Sequence, residues 1–383
     1  MSVTDPVGFT AAGATAGLKP SGRPDLAVVH NTGPEDSAAA VFTGNRFPAA
    51  PVTVSRAHAA DGHLRAVVLN SGGANACTGE QGLDDARAMA AATGAALGLP
   101  ADAVAVCSTG LIGQLIDLRL VGPGIASAAR ALAADGGPAA AEAIMTTDTV
   151  PKQARAGRDG WSIGGMAKGA GMLAPGLATM LVVLTTDASV PPDALAAALQ
   201  TACRVTFDRA DSDGCMSTND TVIALANGAS GIVPDPGVFA TALTEVCADL
   251  ARQLIADAEG ASHEIAITVV NAASEDEAVT AARAVARSNL FKCAVFGNDP
   301  NWGRVLSALG TTDVAFSPED VDVSFNKITV CRGGAIGEDR ALVDLSGRSV
   351  EVGVDLRAGS STATVLTNDL TYDYVKENAE YST

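Results

Sequence analysis

The stretch Lys168-Gly-Ala-Gly-Met-Leu-Ala-Pro175-Gly-Leu-Ala178-Thr179-Met-Leu181 decides the reading of this chain. A glycine-rich run delivers one threonine to the front of an apolar segment, Thr179–Thr186, that reads as a strand. The small residue Ala178 precedes that threonine, and the glycines supply the backbone freedom that a strained scissile peptide needs. This layout suits a chain that cuts itself before Thr179. The new N-terminal threonine would carry its nucleophile, the hydroxyl, and its base, the α-amine, on one residue. A leading threonine is also an ordinary β-former, so spacing alone leaves both readings open. The four histidines (30, 58, 63 and 263) are dispersed, sit in no Ser or Cys nucleophile motif and lack metal-ligand spacing. An N-terminal threonine needs none of them, because an α-amine has a reference pKa of about 7.7–8.0.

At 383 residues the chain is long enough for one large domain or two ordinary ones, and 48% apolar residues supply a substantial core. Aromatics make up only 4%, so Ala, Val, Leu and Gly fill that core. The formal net charge of −18 excludes a nucleic-acid or anionic-membrane surface, since no basic stripe exists to release counterions. An anionic substrate needs a local cluster of donors to overcome that field. Neither a signal peptide nor a membrane-spanning run is read from the sequence. The seven cysteines are scattered with no C-x-x-C pair, so they read as reduced thiols of a cytoplasmic protein.

β-Branched runs alternate with alanine-rich amphipathic runs, which implies α/β sheets covered by helices. Strands are expected at 25–30, 39–43, 64–70, 104–109, 179–186, 221–226, 264–270, 321–330, 351–356 and 362–367. Helices are expected at 84–97, 192–203, 238–258 and 275–288, the last opened by a capping box at Ser274-Glu-Asp-Glu277. Asp135–Gly137 with the residues after it, Arg155–Gly165 and Arg332–Gly337 read as exposed loops.

Other motifs carry weaker signals. Gly169-Ala-Gly-Met-Leu-Ala174 matches the loose dinucleotide fingerprint, but Pro175 and Gly176 follow where a helix must open. Val104–Gly113 is a strand ending in Thr109 and Gly110, equally compatible with an ordinary turn exit and with an oxyanion hole. The glycine-rich turn 70–79 is structural or a carboxylate cradle built from backbone N–H groups. The segment 298–304, with Trp302 and Arg304, is a packed turn or a site wall. Glu259 closes a long helix, where an acid is disfavoured, so it suggests a specific cationic partner.

Several of these segments together are highly specific. Asn70–Gly79, Cys107–Gly113, Ala143–Asp148, Met166–Pro175, Leu177–Leu181, Ser217–Thr221, Asp299–Arg304 and Tyr374–Thr383 span nearly the whole chain. On them the chain resembles the ornithine acetyltransferases of arginine biosynthesis, also called bifunctional glutamate N-acetyltransferases. The resemblance implies self-cleavage between Ala178 and Thr179, giving an α chain of 1–178 and a β chain of 179–383 in one α2β2 catalytic assembly. It implies Thr179 as nucleophile, Thr109 and Gly110 as oxyanion donors, and Thr146, Lys168, Thr179, Glu259, Asn378 and Thr383 as substrate-binding positions. The fold it implies is an α/β sandwich resembling that of the N-terminal-nucleophile hydrolases. The activity it implies is acetyl transfer from N2-acetylornithine to glutamate without a cofactor, with acetyl-CoA open as a second donor. The rival readings are a self-processing amidase or aminopeptidase of related fold, and a binding protein whose chain stays whole.

Overall fold

The structure, a computed structural model, describes residues 1–172, 174 and 180–380. Ala178, Thr179 and Thr383 lie outside the described residues. The chain divides into two units: Met1–Asp208 with Cys215–Leu254, and Arg209–Gly214 with the described residues from Ile255 onward.

The strands of the first unit are β1 (Phe9–Ala14), β2 (Leu26–Asn31), β3 (Ser37–Phe42), β4 (Ala66–Ser71), β5 (Val104–Thr109), β6 (Lys152–Arg158), β7 (Trp161–Lys168), β8 (Leu181–Thr186) and β9 (Thr221–Ala226). They form a four-stranded sheet, β1-β2-β4-β5, and a five-stranded sheet, β3-β9-β8-β7-β6. The accompanying helices are α1 (Ala50–His58), α2 (Gly79–Leu97), α3 (Leu118–Arg130), α4 (Gly137–Ala143), α5 (Pro192–Val205) and α6 (Pro236–Ala256).

Alternation along the strands sorts their side chains into three cores. Val29, Val67 and Leu69 of one sheet meet Met166, Val183 and Ile223 of the other. The opposite faces bury Val28, Val68 and Val106 with Met89 of α2 and Ile125 of α3, and Val182 and Leu184 with Leu199 of α5 and Leu250 of α6. The result is helix, sheet, sheet, helix: the α/β sandwich expected from the sequence. Both faces of β5, β8 and β9 are covered, so these strands are mostly apolar and buried at every position, and they were legible at their full length or nearly so. Helix α5 shows the complementary pattern: Leu195, Ala198, Leu199, Ala202 and Cys203 are buried at helical spacing, behind Pro192 at its first turn.

The second unit holds β10 (Glu264–Ala272), β11 (Asp322–Phe325), β12 (Ile328–Arg332), β13 (Ala335–Ile336), β14 (Ser349–Asp355) and β15 (Ser361–Asn368) in the order β13-β12-β11-β14-β10-β15. Its helices are α7 (Glu275–Ala286), α8 (Asn289–Phe296), α9 (Trp302–Leu309) and α10 (Tyr372–Glu380). Ile265, Val352 and Val365 of the sheet pack with Ala282 of α7, Phe291 of α8 and Val305 of α9. Ser274 caps α7 by accepting the N–H of Glu277 at 3.2 Å. The Glu277 carboxylate accepts the N–H of Ala315 at 3.0 Å.

Three expected loops are ordered structure. Arg155–Gly165 belongs to the β6–β7 hairpin, which turns at Asp159-Gly160. Its glycines misled the reading because they mark close approach, not flexibility. A Cβ at Gly164 would lie 2.3 Å from the Ser2 carbonyl oxygen, and one at Gly165 would lie 2.9 Å from a Leu184 methyl. The residues after Asp135 form α4, and Arg332–Gly337 turns back at Gly333-Gly334 to pair Arg332 with Ala335. The single strand expected at 321–330 is two, β11 and β12. They are joined at Asn326-Lys327, both in the left-handed region at φ 47° and 72°. A lysine in that position hides the turn, which usually announces itself by glycine.

Candidate functional site

In the first unit the parallel pairing of β4 and β5 sets Ser71 opposite Thr109 at the strand ends. The turn after β4 then closes on Thr109. Gly72 and Gly73 donate their N–H groups to the Thr109 carbonyl at 2.9 and 3.0 Å, and Ala74 donates to the Leu111 carbonyl at 3.0 Å. These donors therefore hold the end of β5 and are not free to cradle a carboxylate. Asn219 strengthens the clamp, its amide donating to the carbonyls of Ala74 and Ser108 at 2.6 and 2.8 Å. Gly110 has φ 131°, and a Cβ there would stand 2.6 Å from the Gly73 nitrogen, so this position requires glycine.

Lys168 ends β7, paired across from Leu181 at the start of β8. It is 1% exposed, and its ammonium donates to the Thr109 hydroxyl oxygen at 3.3 Å. Accepting that bond leaves the hydroxyl its own proton to donate. Thr146 joins through Asp148, whose carboxylate accepts the Thr146 N–H at 2.9 Å, the Gly169 N–H at 2.7 Å and the Lys152 ammonium at 2.6 Å. Burial disfavours the charge on Asp148, but Lys168, Lys152 and these hydrogen bonds overcome it and hold the carboxyl below the usual range. Lys19 donates to the carbonyls of Met145 and Pro24 at 2.7 and 2.8 Å. Burial lowers it to about 8, with Asp25 opposing and Arg23 and Lys168 adding. In a chain of net charge −18, Lys19, Lys152 and Lys168 gather here around Asp148 and Asp25, a local concentration of cations. Lys19 and Lys152 were not singled out from the sequence, since nothing local distinguishes them from solvated lysines.

In the second unit Glu259 is 9% exposed, and its carboxylate accepts the amide of Asn378 at 3.0 Å. Burial, then Glu259, Asp373 and Asp257, raise the neighbouring Glu377 carboxyl. The surroundings are thus acidic, suited to a cationic group. Asn301 caps α9 by accepting the Arg304 N–H at 3.1 Å, and the Arg304 guanidinium bonds the Leu290 carbonyl, so the Trp302 segment is a packed turn.

Two rival nucleophile systems fail, one on geometry and one on its protonation. Ser262, His263 and Asp369 cluster in the second unit, but the far nitrogen of His263 is bonded to the Leu345 carbonyl at 2.9 Å and its near one to Asp369 at 2.7 Å. No ring nitrogen is left to move a proton from a substrate. Burial pushes the Cys107 thiol up to about 12, far from a thiolate at neutral pH. Among the described residues no group of three or more His, Cys, Asp or Glu side chains could hold a metal, and no helix is long and apolar enough to cross a membrane.

Comparison with known proteins agrees with the resemblance read from the sequence. The arginine biosynthesis bifunctional protein ArgJ of Streptomyces coelicolor is 60% identical over 382 residues, covering the whole of both chains. That of Thermobifida fusca is 60% identical over 383 residues, again covering both chains fully. A crystal structure of ornithine acetyltransferase complexed with ornithine, from Mycobacterium tuberculosis, is 50% identical over 47% of this chain and 96% of its own, with a TM-score of 0.45. The model of the ArgJ family matches residues 10–383, and the chain belongs to that family.

Proposed function

We propose that this protein is a glutamate N-acetyltransferase, moving the acetyl group of N2-acetyl-L-ornithine to L-glutamate through an ester on Thr179. The observation that carries the reading is the convergence of Lys168 and Thr109 at the ends of β7 and β5, with Gly110 next and Thr179 two residues before Leu181 in the chain. Full-length likeness to bifunctional arginine-biosynthesis proteins supports the same activity.

In the proposed maturation, the Thr179 hydroxyl attacks the Ala178 carbonyl, and the peptide becomes an ester. That shift breaks the peptide C–N bond and frees the Thr179 α-amine; water then hydrolyses the ester, releasing the Thr179 hydroxyl and the Ala178 carboxylate and leaving chains 1–178 and 179–383. In turnover the α-amine takes the hydroxyl proton as Oγ attacks the acetyl carbonyl. The oxyanion is met by the Thr109 hydroxyl and the Gly110 N–H. The tetrahedral species collapses, the proton passes to the departing α-nitrogen, and ornithine leaves. The α-amine of glutamate then attacks the acetyl ester, and the same proton path runs in reverse. Lys168 pairs with the substrate α-carboxylate, Glu259 faces the ornithine cation or an α-amine, and Thr146, Asn378 and Thr383 are further substrate-binding positions. Acetyl-CoA reaches the same acetyl-Thr179, and we extend the proposal to it because the relatives share the name bifunctional. The two chains are proposed to assemble as α2β2 in the cytoplasm.

The test is a transfer assay with acetyl-labelled N2-acetylornithine and glutamate. Labelled N-acetylglutamate with ping-pong kinetics is the expected result. Labelled free acetate, independent of glutamate, would make the protein a hydrolase and overturn the reading.

A further inference from the structure

Asp220 stands immediately before β9, fully buried, and no step above uses it. Its Oδ1 accepts the N–H of Met180 at 3.0 Å. Its Oδ2 is buried and has no hydrogen-bond partner among the described residues. Buried polar atoms are almost always partnered, so such an oxygen needs an explanation. Covalent geometry supplies one. Met180 follows Thr179 directly, and adjacent backbone nitrogens lie within about 3.7 Å of each other whatever the torsion between them. The carboxyl that accepts the Met180 N–H is thus one peptide unit along the chain from the amine that cleavage before Thr179 would create.

The charges around it are few. Burial pushes the Asp220 carboxyl well above the ordinary range, while the Met180 N–H, then Lys168 at the end of β7, then Ser217 favour its charged form. Beyond Lys168 stand Asp148, Lys152 and Lys19. A cation at Oδ2 offsets the burial effect.

We propose that Asp220 is the positioning residue for the Thr179 α-amine, its Oδ2 accepting an N–H of that amine once the Ala178–Thr179 peptide has opened. The inference rests on the proposed self-cleavage and deepens it. When Oγ attacks the acetyl carbonyl, its proton forms an ammonium on the Thr179 nitrogen. The Asp220 carboxylate stabilises and orients that ammonium until the proton passes to the leaving nitrogen. This is the part played by the orienting acid in a nucleophile–base–acid set. The carboxylate also raises the basicity of the amine, opposing Lys168.

Asp220→Asn keeps an oxygen for the Met180 N–H and puts an amide donor in place of Oδ2. Intact mass reads its cleavage, and the pH profile of kcat/KM for N2-acetylornithine reads its amine. The expected result is a cleaved variant with kcat down about 100-fold and the acidic limb moved to lower pH by about one unit. A cleaved variant whose acidic limb is unmoved overturns the inference and leaves Asp220 a structural carboxyl. A folded but uncut variant overturns it as well, since the uncut chain has no α-amine to hold. If Asp220→Asn fails to fold, Asp220→Ser, with a small acceptor for Met180, is judged by the same two readings. A wild-type chain that stays whole overturns the self-cleavage reading itself, so the two failures are distinct.

Discussion

The Lys168 ammonium bonds the Thr109 hydroxyl at 3.3 Å, joining residues that end strands of two different sheets. Neither residue reaches the other through local structure, since 59 positions separate them. The cation polarises the hydroxyl, making it a stronger donor toward developing negative charge.

Removing the cation leaves the hydroxyl in place but weakens it. Lys168→Met is expected to lower kcat by up to about 100-fold, at or below the scale of losing one oxyanion-hole donor outright. Lys168→Arg does not rescue it, because the site is 1% exposed and the guanidinium is larger and planar. Steady-state rates for both variants, with mass spectrometry of the acetyl ester, check this.

Thr109→Ser keeps a hydroxyl at the end of β5, whereas Thr109→Val keeps shape without a donor. Serine is expected to retain activity within about tenfold, and valine to lose about 100-fold or more in kcat. Gly110→Ala is expected to lose activity and also about 1–3 kcal/mol of stability, because its Cβ falls on the Gly73 backbone. Equal rates for Thr109→Val and wild type would remove Thr109 from the oxyanion role.

Asp148 ties Lys152, Thr146 and Gly169 together out of water. Asp148→Asn breaks the buried ion pair with Lys152, and chemical denaturation is expected to show a loss of about 3–5 kcal/mol. The Asp148 carboxyl is held below its unfolded value of about 3.9, so its stabilisation is complete above that pH. It is lost as pH falls from there through the folded value. Below about pH 4 the wild type should therefore lose stability more steeply than Asp148→Asn, as read by denaturation at a series of pH values.

Glu259→Gln removes charge from the acidic surroundings of Asn378 and Glu377 while keeping an acceptor for the Asn378 amide. The expected effect is a rise of about tenfold or more in KM for N2-acetylornithine, about 1.4 kcal/mol of lost charge complementarity. Glutamate, which lacks a side-chain cation, should be affected less. An unchanged KM for both substrates would release Glu259 from the ornithine end.

By itself the sequence determined the α/β class, the fully buried strands and the amphipathic helices. Runs of small and β-branched residues such as Val104–Thr109 and the helical spacing of Leu195 and Leu199 mark how the apolar surface is buried. It also marked the Thr179 stretch, Thr109, Gly110 and Glu259 as candidates, because unusual residues at turns carry a local signature, whereas Lys168 entered as a site residue only through the resemblance. Tertiary structure alone decided that β7, with Gly164 and Gly165, is a strand, since only packing against Ser2 and Leu184 reveals why side chains are absent there. It alone brought Lys168 to Thr109, grouped Lys19, Lys152 and Asp148, and placed Asp220 beside Met180. Those relationships join residues far apart in the chain, and the register of two packed sheets, not any local preference, sets the distance between them.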